Sequence, residues 1–164
     1  MFRVGIGYDM HRLAEGYPLV LGGVTVPHPM GLEGHSDADV LIHAIMDALL
    51  GAMSHPDIGQ LFPDNDPRYE DISSLELLGE VVRIMSENNY QLINMDSVII
   101  AQQPKLAPHI SAMKENLARV LDVDSGDINI KATTNEGLDA MGREEGIAAQ
   151  AVTMLRKLSD CLYD

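Results

Sequence analysis

Between Ser36 and Ala52 the residues Leu41, Ala44, Ile45, Ala48, Leu49 and Ala52 fall at helical spacing, while Ser36, Asp39, His43 and Asp47 form an opposite polar stripe. A helix divided in this way must bury its apolar stripe against another element. The Ser36 hydroxyl is expected to cap it, with Asp37 and Asp39 in the first turn. Strand patterns flank the helix. Phe2, Val4 and Ile6 alternate with Arg3, Gly5 and Gly7, and Gly22-Gly23 divides two aliphatic runs within residues 18–26, a hairpin signal.

Beyond residues 61–71, an aperiodic stretch with two prolines and four acids, a second helix opens at Ser73 with Glu76 in capping-box spacing. Residues 95–101 and 127–132 read as strands. A third helix, with Pro108 in its first turn, buries Ile110, Met113, Leu117, Val120 and Leu121. Residues 147–155 fit helix and strand equally. Strands interleaved with helices, plus a hairpin, predict one α+β domain over 1–158, its mixed β-sheet packed on helices, followed by a tail at 159–164.

The 164 residues carry a formal charge of −14, which excludes a nucleic-acid binder because phosphate-backbone affinity needs clustered Lys and Arg. A phosphorylated small molecule stays open, provided that metal ions bring local positive charge. Cys161 is the single cysteine, so no internal disulfide forms. No apolar run approaches the ~18 residues of a membrane span, and residues 1–30 lack a leader pattern. A soluble protein of the reducing cytoplasm is expected.

Gly5-Ile6-Gly7-Tyr8-Asp9-Met10-His11 places Met10 where a dinucleotide loop needs its third glycine, which excludes that fold. Asp9 and His11 share one side of an extended chain, as half a metal site or as a turn aspartate and a surface histidine. With His43 they give a carboxylate and two imidazoles, a set suited to zinc with an open fourth position. Asp39 or Asp47, one helical turn away, could hold the second nitrogen of His43. Otherwise His43 belongs to a solvated face. Ser36 could grip a phosphate as well as cap. Thr133, Thr134 and Glu136 could bind phosphate and magnesium, or simply end a strand. Lys105 is an isolated charge.

Taken in order, these motifs identify a resemblance. Gly-x-Asp-x-His ending at His11 is followed by His35-Ser36-Asp37-x-Asp39 and by His43-Ala44-x-x-Asp47-Ala48-Leu49-Leu50-Gly51. Then come Asp57-Ile58-Gly59-x-x-Phe62-Pro63-Asp64, Ile100-Ala101-Gln102-x-Pro104-Lys105, Lys131-Ala132-Thr133-Thr134-x-Glu136 and Gly142-Arg143-x-Glu145-Gly146-Ile147-Ala148. The chain resembles the 2-C-methyl-D-erythritol 2,4-cyclodiphosphate synthases of the non-mevalonate isoprenoid route over residues 1–157.

The resemblance implies a chorismate-mutase-like α+β sandwich, a strand at 147–155, and a homotrimer with active sites between subunits. Asp9, His11 and His43 would bind zinc, and Glu136 a magnesium or manganese ion bridging the substrate diphosphate. His35, Ser36, Asp57, Gly59, Phe62 and Asp64 would line the methylerythritol phosphate part. Ala101, Pro104, Lys105, Leu106, Ala107, Ala132, Thr133 and Thr134 of the adjacent subunit would hold the cytidine diphosphate part. Thr134 would also act in catalysis, and Arg143 would contact substrate.

The implied lyase reaction closes a cyclic diphosphate by attack of the substrate's 2-phosphate on its β-phosphate, expelling CMP. One stretch departs from the pattern. Asp139-Ala140-Met141-Gly142-Arg143 stands where members read Gly-Phe-x-Gly-Arg, so Ala140 lacks the ring that lines the family's axial cavity. Two rivals use the same residues differently: a zinc phosphohydrolase, and a non-catalytic trimeric nucleotide-binding protein.

Overall fold

The computed structural model describes residues 1–63 and 65–158; Asp64, Cys161 and the 159–164 tail lie outside the described residues. Strand β1 (Phe2–Glu15) is followed by β2 (Leu19–Leu21), β3 (Val24–Val26) and β4 (Met30–Leu32). Helices α1 (Val40–Met53), α2 (Ile58–Leu61) and α3 (Ser74–Glu87) come next. Then follow β5 (Tyr90–Ile100), α4 (Ile110–Leu121), β6 (Ile128–Thr133), α5 (Asp139–Gly142) and β7 (Gly146–Lys157). The main sheet has the order β4-β1-β7-β5-β6, mixed because β5 and β6 run parallel while the other neighbours are antiparallel. β2 and β3 pair separately as the expected hairpin, with Gly22 and Gly23 supplying the positive φ angles of its turn. Residues 147–155 are strand, within β7, as the resemblance implied.

Gly5 and Gly7 fix how α1 meets this sheet. A Cβ on Gly5 would stand 1.9 Å from the Ala48 carbonyl oxygen, and one on Gly7 1.9 Å from that of Ala44. Only glycine on the strand, facing alanine on the helix, permits such an approach. Ala44, Ala48 and Ala52 are buried with Leu41, Ile45 and Leu49, as the helical spacing predicts.

One expectation for α1 is corrected. Ala38 has φ +54°, so the helix cannot run back to Ser36; it begins at Val40, with Asp39 as cap accepting from the Ile42 amide at 3.1 Å. The alternative left open for His43, a solvated face, does not hold. α1 lies between the sheet and α3, and His43, Met46 and Leu50 are buried with the core. In α3 the Ser73 hydroxyl caps by accepting from the Leu75 amide at 3.3 Å. Pro108 sits in a 3₁₀ turn (Ala107–His109) that leads into α4, whose Met113, Leu117 and Leu121 are buried while Ile110 and Val120 are half-buried.

Among the described residues, the other face of the sheet is bare along β1 and β7. Phe2, Val4, Ile6, Tyr8 and Met10 of β1, with Val152 and Met154 of β7, are 36% to 65% exposed. Register places Val4 beside Met154 and Ile6 beside Val152, so they form one continuous apolar surface on neighbouring strands inside the sheet.

Candidate active site

Alternation along β1 points the odd-numbered residues at α1. Gly5 and Gly7 admit the helix, and Asp9 and His11 follow on the same side. His43, in the first turn of α1, descends onto them. His43 Nδ1 and His11 Nε2 each lie 3.0 Å from Asp9 Oδ2, and 3.2 Å from each other. A tetrahedral zinc with ~2.0 Å bonds spaces its ligand atoms about 3.3 Å apart, so these atoms already match one face of that tetrahedron.

Their chemistry matches too. His11 Nδ1 lies 2.8 Å from the Glu33 carbonyl oxygen, an acceptor only, so Nδ1 carries the proton and Nε2 turns a lone pair inward. His43 Nε2 lies 3.0 Å from Ser74 Oγ and 3.2 Å from Ser36 Oγ. Burial works against a charged Asp9, but hydrogen bonds and charge from His11 and His43 outweigh it and hold its carboxyl well below the usual range. An ionised carboxylate thus faces two imidazole nitrogens. With His43 Nδ1 bare, the three donor atoms converge on one point, and a metal ion suits all three.

The partners expected for His43 are corrected. Asp39 caps α1 and accepts from the Gly23 amide at 2.7 Å, while Asp47 accepts from the Ile58 amide at 2.9 Å. Each carboxylate accepts from the backbone instead. The oxygens at His43 Nε2 come from Ser36 and Ser74, and Ser74 is held in turn by Asp37.

A cavity of about 330 Å³ opens on Asp9, His11 and His43, with His35, Ser36, Gly59 and Phe62 in its wall. The wall has one apolar side, where Phe62 meets Tyr69 edge to face at 5.4 Å beside Leu77. Asp57 does not line this cavity; it caps α2 by accepting from the Gln60 amide at 3.0 Å.

A second cavity, about 260 Å³, lies where β5 and β6 end. It is formed by Ala101, Pro104, Lys105, Leu106, Ala107, Ala132, Thr133 and Thr134, with Gln102 added. Its apolar walls, one lysine and two hydroxyls suit a flat base attached to phosphates. Glu136 follows, exposed, its Oε1 accepting from Thr134 Oγ1 at 3.2 Å. Arg143 lines neither cavity and pairs with Glu145 at 2.7 Å. The two cavities share no residue.

Sequence reasoning missed the Glu33 carbonyl, which has no side-chain signature, and Ser74 with Asp37, which only tertiary packing unites. Ser74 follows the Ser73 cap, and a second hydroxyl there was the one visible signal.

A model of the YgbB family matches residues 2–156, nearly the whole described chain. The chain belongs to the YgbB family. A relative from Syntrophomonas wolfei, a 2-C-methyl-D-erythritol 2,4-cyclodiphosphate synthase, is 57% identical over 155 residues, covering 94% of this chain and 99% of its own. The synthase of the same name from Synechocystis is 59% identical over 155 residues, with coverage of 94% and 96%. Among solved YgbB-like structures, the bifunctional IspDF from Campylobacter jejuni superposes with a TM-score of 0.93 at 42% identity over 97% of this chain, which spans 43% of that longer protein. The CDP complex of IspF from Plasmodium falciparum gives 0.84 at 33% identity, covering 96% of this chain and 97% of that one.

Proposed function

We infer that this YgbB-family chain is a lyase that converts 4-diphosphocytidyl-2-C-methyl-D-erythritol 2-phosphate to 2-C-methyl-D-erythritol 2,4-cyclodiphosphate and CMP in non-mevalonate isoprenoid biosynthesis. The convergence of Asp9, His11 and His43 at 3.0–3.2 Å carries this reading, set as it is in a cavity that also holds His35 and Ser36.

A 2-phosphate oxygen forms a bond to the β-phosphorus, and the bond from that phosphorus to the oxygen bridging the α-phosphate breaks. CMP leaves with the electron pair. The nucleophile is already an oxyanion, so no strong general base is required. The barrier is the approach of two anions in line. Asp9, His11 and His43 would hold zinc and Glu136 magnesium or manganese, and such ions would supply positive charge to neutralise and polarise the diphosphate. His35 and Ser36 orient the methylerythritol phosphate end, and Phe62 and Gly59 shape its wall. Asp57 caps α2 and so holds Gly59 in that wall. Lys105, Thr133 and Thr134 hold the cytidine diphosphate end between the walls of Ala101, Pro104, Leu106, Ala107 and Ala132. A flexible chain pinned at both ends is brought close to the conformation that closes the ring.

The two ends belong to different copies. The bare apolar face of β1 and β7 supports self-association, because a continuous surface of this kind costs free energy in water. Three copies follow from the family resemblance, with the first cavity of one facing the second cavity of its neighbour. Arg143 then acts at the subunit boundary. Among the described residues no helix is long and apolar enough to cross a membrane, and the reading places the enzyme in the cytoplasm as a single catalytic domain, 1–158.

Phosphorus NMR of the purified protein with the cytidyl diphosphate substrate, zinc and magnesium tests the reading. Equal amounts of cyclic diphosphate and CMP are expected. Inorganic phosphate without the ring would make it a zinc phosphohydrolase, and an unchanged spectrum a nucleotide-binding protein.

A further inference from the structure

The imidazole of His43 can act as a ligand only if Nδ1 is bare, and Asp9 opposes that condition. Asp9 Oδ2 lies 3.0 Å from Nδ1, within hydrogen-bond reach, so in the metal-free protein it competes for the ring proton at Nδ1. Something on the far side of the ring must draw harder toward Nε2. Two hydroxyls stand there, Ser74 at 3.0 Å and Ser36 at 3.2 Å, and they differ in what holds them.

Ser74 is fully buried at the start of α3, and Asp37 grips it twice. Its hydroxyl donates to Asp37 Oδ1 at 2.5 Å, and its backbone N–H donates to Asp37 Oδ2 at 3.0 Å. Both bonds run from Ser74 to Asp37, so the Ser74 proton is committed there and its oxygen presents a lone pair to His43 Nε2. Ser36 has no such anchor: its oxygen accepts from the Ala38 amide at 3.2 Å, and its own proton is left free to turn toward a ligand in the cavity.

We infer that Ser74 and Asp37 are a positioning pair that fixes His43 in its Nε2–H form, keeps Nδ1 bare for zinc, and leaves the Ser36 hydroxyl to the substrate. The inference rests on the reading of Asp9, His11 and His43 as a zinc centre. It also ties the centre to the fold. Asp37 lies in the loop before α1 and Ser74 at the start of α3, so the packing of one helix on the other sets the ring of His43. Hydrogen bonds to the outer nitrogen of a ligating histidine fix its tautomer and raise its basicity.

The test uses the full chain, stripped of metal, as wild type, Ser74→Ala, Asp37→Asn and Ser36→Ala. Zinc affinity is read by competition with a chromogenic chelator, and the His43 tautomer from imidazole nitrogen shifts at about pH 8, above the imidazole range. Ser74→Ala keeps the backbone bond to Asp37, and Asp37→Asn keeps the side-chain shape. The expected result is a loss of zinc affinity of roughly 10–100-fold in Ser74→Ala and Asp37→Asn, with the His43 proton moving toward Nδ1. Ser36→Ala should hold zinc as wild type does. Affinities within about twofold of wild type and an unmoved tautomer in both variants would overturn the inference. A loss in Ser36→Ala matching that in Ser74→Ala would also overturn it. Wild-type protein that binds no zinc would instead bring down the zinc reading itself.

Discussion

Asp39 Oδ2 accepts the backbone N–H of Gly23 at 2.7 Å, joining the turn of the hairpin to the first turn of α1. Burial pushes its carboxyl up to about 6, against the pull of the Gly23 and Ile42 amides and with help from the nearby charge of Asp37. The folded protein therefore binds a proton here at pH values where the unfolded chain, near 3.8, has released it. Stability from this group is fully present below about pH 4 and is lost as pH rises through 6, a change on the order of 3 kcal/mol. Denaturant unfolding of wild type and Asp39→Asn across pH 4 to about 7 checks it. Wild type should lose ground to the variant as pH rises, and parallel curves would contradict the assignment.

Gly7→Ala should unseat α1. The new Cβ meets the Ala44 carbonyl oxygen, a backbone atom that cannot turn aside. A loss of roughly 1–3 kcal/mol is expected, with weakened zinc binding because His43 lies one residue before Ala44. Denaturant unfolding paired with zinc titration reads both. Unchanged values would mean that the strand and helix do not touch as described.

Ile6→Lys places a charge on the bare face of β1, where the native side chain is 62% exposed. The single chain has room for it, so circular dichroism should be unchanged. Sedimentation should show the assembly dissociating, with activity lost because neighbouring cavities no longer meet. Unaltered mass and turnover would contradict the interface.

Lys105→Ala removes a cation that lines the second cavity. A hydrogen bond to a charged group is worth about 1.5–3 kcal/mol, so KM for the cytidyl substrate should rise roughly tenfold to a hundredfold. Steady-state kinetics decides it, and an unmoved KM would place the cytidine diphosphate end elsewhere.

The parts of this molecule that local chemistry dictates could be read before any coordinates. Alternation in β1 put Asp9 and His11 on one side, the helical period of α1 named its core residues, and Gly22-Gly23 marked the hairpin. Other features depend on what packs where. The start of α1 at Val40 follows from the turn at Ala38, which no propensity announces. A solvated face stayed open for His43 because periodicity does not show that a helix is covered on several sides and still carries polar residues. The assignment of Asp39 and Asp47 to His43 failed because helical spacing ignores competing donors, here the amides of Gly23 and Ile58. Ser74 is 31 residues from His43, and only the packing of α3 on α1 brings them together.

On this reading, ring closure depends on the centre formed by Asp9, His11 and His43. Its most direct test is a single-turnover reaction followed by phosphorus NMR in metal-stripped wild type and His43→Ala, each with magnesium and then with zinc added back. The account predicts no cyclic diphosphate from either stripped protein, recovery in wild type on adding zinc, and none in the variant. Cyclic diphosphate formed by zinc-loaded His43→Ala at the wild-type rate would contradict it.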